Sequence, residues 1–135
     1  MQVDGLAVVW AFVAGMVVAF LWYQKGPMAA KWERLTGIGP ERSRAARTRN
    51  MLQLVVANAL TAVGLAVAIG AVSTATGNDS VWLAVGVGFL GWLTLSATTL
   101  LQHNAFEQKR PLLTAINVGY QLALFVAMSL VIGLL

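Results

Sequence analysis

Four stretches of this chain carry no Asp, Glu, Lys or Arg: Leu6 to Tyr23, Leu52 to Ala75, Val81 to Leu101 and Leu112 to Leu135. Each is close to the roughly 20 apolar residues that the hydrocarbon core of a bilayer requires. No water is present there to satisfy peptide groups, so a spanning segment must close its own backbone hydrogen bonds as an α-helix. Val-rich pieces such as Val55-Val56 favour strand in water, but the lipid requirement overrides that preference. A β-barrel needs short segments of alternating polarity, and these runs do not alternate. The chain has 135 residues, 59% hydrophobic and 10% charged, against about 25% charged in a soluble domain. A chain this short has too little interior to hide so much apolar surface from water. The sequence therefore predicts an all-α fold, an integral membrane four-helix bundle forming one transmembrane domain over residues 1–135.

The first run is expected to stay attached rather than be cleaved as a signal peptide. Asp4 precedes it, with no Lys or Arg, and its apolar stretch exceeds the usual length of a signal's core. It ends in Trp22-Tyr23 followed by Lys25, an aromatic anchor and then a positive charge. Seven basic residues lie between 24 and 51, and Lys109 and Arg110 are the remaining two of nine. All nine fall on one side of a four-helix chain, and the other side holds Asp4 and Asp79. The positive-inside rule then puts both basic loops in the cytoplasm and both termini outside. The expected location is the plasma (inner) membrane, crossed several times.

Residues 24–51 form the longer cytoplasmic loop. From Pro27 to Gly37, the residues Met28, Trp32 and Leu35 share one helical face. That pattern predicts a short interfacial helix with Trp32 at headgroup depth. Gly37, Gly39 and Pro40 interrupt it, and a helix starting near Pro40 is expected to run through Arg42 and Arg49 into the second span. Basic juxtamembrane clusters meet anionic lipid headgroups, so the expected partners are lipids and not nucleic acid. Trp22 and Trp82 serve with Trp32 as interface anchors. The second connection, Thr76 to Ser80, is a tight turn of turn-forming residues.

Small residues recur at every fourth position in three runs: Ala7, Ala11, Gly15 and Ala19; Ala62, Ala66, Gly70 and Thr74; Ala115, Gly119, Ala123 and Ala127. Such faces let helix backbones approach closely in lipid. Within these ladders Ala11, Gly15, Ala66, Gly70, Gly119 and Ala123 are the expected packing positions. At least one ladder is expected between subunits.

Depth sorts the polar residues. Tyr23, Gln53, Asn58, Thr99, His103, Asn104, Asn117, Tyr120 and Gln121 all fall toward the cytoplasmic ends of the four runs. The outer halves hold little beyond Ser73, Thr74 and Ser129. An amide facing lipid is costly, so Asn58, Asn117 and Gln121 should face the interior or a subunit contact. Two readings follow: a hydrogen-bond network pinning the cytoplasmic end, or a polar vestibule that binds a small molecule, a lipid headgroup or a peptide. A through-pore is disfavoured by the apolar outer half.

Catalytic material is scarce. There is no cysteine and one histidine. His103 and Glu107 stand four apart, yet two groups make a poor metal site. Glu107 beside Lys109 and Arg110 reads more simply as a loop ion pair. No cofactor, metal or catalytic residue is expected.

The motifs taken together resemble a known family. Trp22-Tyr23, then Trp32 with Leu35, Thr36 and Gly37, then His103-Asn104, Phe106-Glu107, Arg110-Pro111, Ile116-Asn117, Gly119-Tyr120 and Gly133 are similar to domain-of-unknown-function family 1761. The resemblance implies a small four-helix bacterial membrane protein and brings no established activity. It directs attention to Trp22, Tyr23, Trp32, His103, Asn104, Glu107, Arg110, Asn117 and Tyr120. The function expected is that of a non-enzymatic, self-associating bundle or a subunit of a membrane complex. The alternative is a small-molecule or lipid carrier using the cytoplasmic vestibule.

Overall fold

The computed structural model describes residues 4–25 and 28–135. Its helices are α1 (Gly5–Phe20), α2 (Met28–Thr36), α3 (Pro40–Ala45), α4 (Arg47–Thr76), α5 (Val81–Gly91), α6 (Thr98–Phe106) and α7 (Pro111–Leu134). Two π-helical turns interrupt this pattern, Leu21–Lys25 after α1 and Trp92–Ala97 between α5 and α6. Among the described residues there is no strand. Four continuous helices are long and apolar enough to cross a membrane: Gly5–Tyr23, Arg47–Thr76, Val81–Phe106 and Pro111–Leu134. That is the pattern of a multi-pass membrane protein.

The helix boundaries follow local chemistry. Asp4 caps α1 by accepting from the Leu6 amide at 3.0 Å. Gly77 ends α4 in the left-handed conformation, φ 70°, and its amide closes onto the Ser73 carbonyl at 2.8 Å. Ser80 opens α5 by accepting from the Leu83 amide at 3.2 Å. Ser73 donates to Asp79, which ties this turn to the end of α4. The second long helix starts at Arg47, five residues before the apolar run at Leu52. Ala46 departs from helical geometry (φ −97°, ψ 6°), so α3 stands as a separate single-turn piece before α4. Pro27, the expected start of the interfacial helix, lies outside the described residues.

α7 is the central element. It packs along α1 on one side and α5 on the other, while α4 touches all three. Because successive long helices alternate in direction, both basic segments lie at one end, called here the basic end. The buried face of α1 is Ala7, Ala11, Gly15 and Ala19, the first small-residue ladder. α4 buries Ala62, Ala66 and Gly70 from the second, together with Leu65 and Ile69, and leaves Thr74 exposed. α7 behaves differently. It buries Leu113, Ile116, Tyr120, Leu124, Met128 and Ile132, while Ala115 is exposed and Ala123 and Ala127 are half-buried. The reason is steric: one partner at each contact must supply the volume. The tip of Met128 and a methyl of Leu124 fill the space left by the missing side chain at Gly15.

Gly88 of α5 plays the matching part on the other flank. A β-carbon there would stand 2.7 Å from Ser129 Cβ and 3.1 Å from the Phe125 carbonyl oxygen. Gly64 faces open space. Gly88→Ala is therefore expected to lower stability by about 1–3 kcal/mol through overpacking. Gly64→Ala should stay within about 0.5 kcal/mol of the parent. Thermal unfolding in mild detergent separates the two, and equal melting temperatures would show that α5 and α7 do not depend on this contact.

Candidate functional site

The candidate site lies at the basic end, around residues 117–120 of α7. The first π-helical turn, Leu21–Lys25, carries Trp22 and Tyr23 against α7. A β-carbon on Gly119 would lie 3.4 Å from the Trp22 ring, so the glycine gives the indole a flat surface in ordinary contact. The Tyr23 hydroxyl donates to Asn117 Oδ1 at 2.7 Å. The Tyr23 ring meets Tyr120 edge-on, centroids 4.8 Å apart, and Trp32 edge-on at 5.8 Å. Edge-to-face ring pairs of this kind are favourable beyond the area they bury. They fasten α2 to the bundle. Trp32 is half-buried, with its ring against Tyr23. The apolar face of α2 finds an aromatic protein surface to cover.

The opposite flank of α7 is held by a residue that the sequence did not single out. Trp92 opens the second π-helical turn, and its Nε1 donates to the Val118 carbonyl at 3.0 Å. Residues 117–120 are thus gripped from both sides by the two segments of π-helix. Nothing in a lone Trp within an apolar run marks such a turn, because an extra residue in a helical turn leaves no compositional trace.

Two further polar contacts stand apart from this one. Asn104, 4% exposed, donates through Nδ2 to Thr114 Oγ1 at 3.0 Å. Asn58, 2% exposed, donates through Nδ2 to the Met16 thioether at 3.3 Å, a weak acceptor. Gln121 is half-buried, and Gln53, Thr99 and His103 are exposed. The nine residues grouped by depth are therefore distributed over separate contacts and an outer face. Thr94, Thr98 and Thr99 each donate to the carbonyl four residues earlier, at 2.7, 2.8 and 2.6 Å. Their hydroxyls are satisfied within their own helix and can face lipid. Trp82, 80% exposed, projects from the far end of the bundle as an anchor would.

Glu107 and Lys109 form an exposed ion pair at 3.0 Å in the hairpin between α6 and α7, an interaction worth little on a surface. Among the described residues no three His, Cys, Asp or Glu side chains come together. Two polar atoms are sealed without a partner among the described residues, Trp22 Nε1 and Ser129 Oγ.

The family described as "Protein of unknown function (DUF1761)" matches residues 6–133. The chain belongs to this family. No curated protein and no solved structure matches it. For this DUF1761 chain the contacts themselves must therefore carry the argument, and the firmest is Tyr23 to Asn117. Asn117→Leu strands the Tyr23 hydroxyl and should cost about 1–3 kcal/mol. Tyr23→Phe should cost about 0.6 kcal/mol, a usual value for a hydrogen bond between spanning helices. The double variant should lose less than the sum in detergent unfolding. Strict additivity would mean that the two side chains do not support each other.

Proposed function

We propose that this chain is a non-enzymatic, self-associating membrane bundle, or a subunit of a larger membrane complex, with its basic end in the cytoplasm. The observation that carries the reading is the use made of the inner polar groups. Asn58, Asn104 and Asn117 are each engaged by another side chain of the same chain, at three separate helix contacts. A carrier or an enzyme needs polar groups that converge on shared space and stay free for a ligand. The lateral surface argues the same way. Only 22% of the first spanning window and 17% of the third are buried within the chain. The remainder is left to lipid and to neighbouring helices.

The charge distribution supports the orientation. All nine basic residues belong to the two segments at one end, which the positive-inside rule assigns to the cytoplasm of a bacterial inner membrane. Arg42, Arg44, Arg47 and Arg49 are exposed, and among the described residues none forms an ion pair. Anionic headgroups are their natural partners. In this reading they do not bind nucleic acid.

One observation favours a small-molecule or lipid carrier instead. The Trp22 Nε1 donor is sealed with no acceptor among the described residues. Native mass spectrometry of protein released from its own membrane separates the two readings. Oligomers or stoichiometric partner complexes without a retained small molecule are expected. A monomer with one bound molecule, lost in Trp22→Phe, would overturn the proposal in favour of the carrier. Reporter fusions after residue 78 and at the C-terminus should both read outside, and a cytoplasmic signal from either one would overturn the orientation.

A further inference from the structure

We infer that α6 is a two-register element: the π-helical turn Trp92–Ala97 converts to α-helix, α6 turns by one residue, and His103 replaces Asn104 at the Thr114 hydroxyl. α6 (Thr98–Phe106) is bounded at both ends by backbone that departs from α-helix. At its start lies the π-helical turn, which holds one residue more than an α-turn, a feature frequent at functional sites. Just past its end, Gln108 has φ 55°, a left-handed conformation uncommon for a residue with a side chain.

Between these two points α6 is lightly held. Asn104 is its only buried residue. Thr98, Thr99, Leu101, Gln102 and His103 are all exposed. Its substantial contacts are with α7 and with the π-helical turn itself. One side-chain hydrogen bond joins it to α7, from Asn104 Nδ2 to Thr114 Oγ1 at 3.0 Å.

The direction of the exchange follows from helix geometry. Beyond an inserted residue, each side chain sits where its predecessor would sit in an unbroken α-helix. Converting the turn while α5 stays seated rotates α6 by about 100° and advances it by about 1.5 Å. His103 then takes the place of Asn104, and Ser96 takes that of Ala97. A neutral imidazole has both a donor and an acceptor, so it can bond to the Thr114 hydroxyl as the amide does. Each register therefore keeps one bond to α7, and intermediate rotations keep none. The slack is taken up in the hairpin, where Gln108 is free to leave its left-handed conformation. The outcome is that an exposed imidazole is withdrawn and an amide is presented at the basic end. A partner that contacts His103 would hold the first register by population shift.

The chain has no cysteine, so disulfide trapping in membranes reports the register directly. Thr114→Cys is paired in turn with Asn104→Cys, His103→Cys and Ala105→Cys and oxidised with copper phenanthroline; the Thr114 hydroxyl is lost from every pair alike, so the relative rates compare the geometry of the two registers. Positions 103 and 105 flank 104 by one residue on either side, so looseness of α6 raises both, whereas the change of register raises 103 alone. The 104 pair is expected to form fastest and the 103 pair at roughly 1–10% of its rate, the usual range for a minor state. The 105 pair should form more slowly than the 103 pair. Deleting Leu95 removes the extra residue, so the 104 pair should persist while the 103 pair falls to the level of 105. Gln108→Gly removes the left-handed strain from the first register and should lower the 103-to-104 ratio about five-fold. Equal trapping at 103 and 105, or a ratio unmoved by Gln108→Gly, would overturn the inference. So would a 103 pair that survives the deletion, and the glycine variant decides alone if the deletion fails to insert.

Discussion

Close approach of helix backbones to the large side chains of α7 is the constraint on which the rest of this structure depends. In lipid there is no hydrophobic gain when two apolar helices meet, so contact must come from van der Waals packing and from hydrogen bonds. The protein meets that demand asymmetrically. α1 and α4 offer small faces, and α5 offers Gly88. α7 offers the bulk of Leu124 and Met128 toward α1, and toward α5 the small Ser129 with the Phe125 backbone at Gly88 and the Phe125 ring at Gly91. A bundle built in this way has one central helix and two flanks, not four equivalent members.

The same arrangement explains the basic end. Once α7 is central, the side chains near its start meet both flanks. Tyr23 reaches Asn117 from one side, and Trp92 reaches the Val118 carbonyl from the other. Both contacts arise from π-helical turns. α4 takes little part here, since it buries nothing before Asn58. The polar groups that share a depth in the sequence are therefore divided among different neighbours. Asn104 pairs with Thr114, Asn58 with Met16, and the threonines of the third span with their own backbone. Division of this kind underlies the proposed role in assembly, and it leaves α6 joined to α7 through the Asn104–Thr114 bond.

Sequence reasoning and structure part company at identifiable residues. The ladder in α1 was legible because a four-residue step sets its small side chains on one helical face. The ladder in α7 had the same spacing and a different outcome, since Gly119 meets the Trp22 ring while Ala115 is exposed. Spacing says which residues share a face. It does not say which of two facing helices supplies the volume. Trp32 shows the same limit: its place on the apolar face of α2 was readable, but whether that face meets lipid or protein depended on Tyr23.

The sequence by itself determined four helices long and apolar enough to span, the gathering of all nine basic residues at one end, and the place of each polar group along its helix. Those properties follow from the solvent, because lipid admits only self-satisfied backbone and few charges. Only the tertiary structure decided that α7 is central, that Trp92 joins the site and that Gln53, Thr99 and His103 stand outside it. Those outcomes turn on the azimuth of each helix, and a single extra residue in a helical turn shifts azimuth without leaving a mark in the composition.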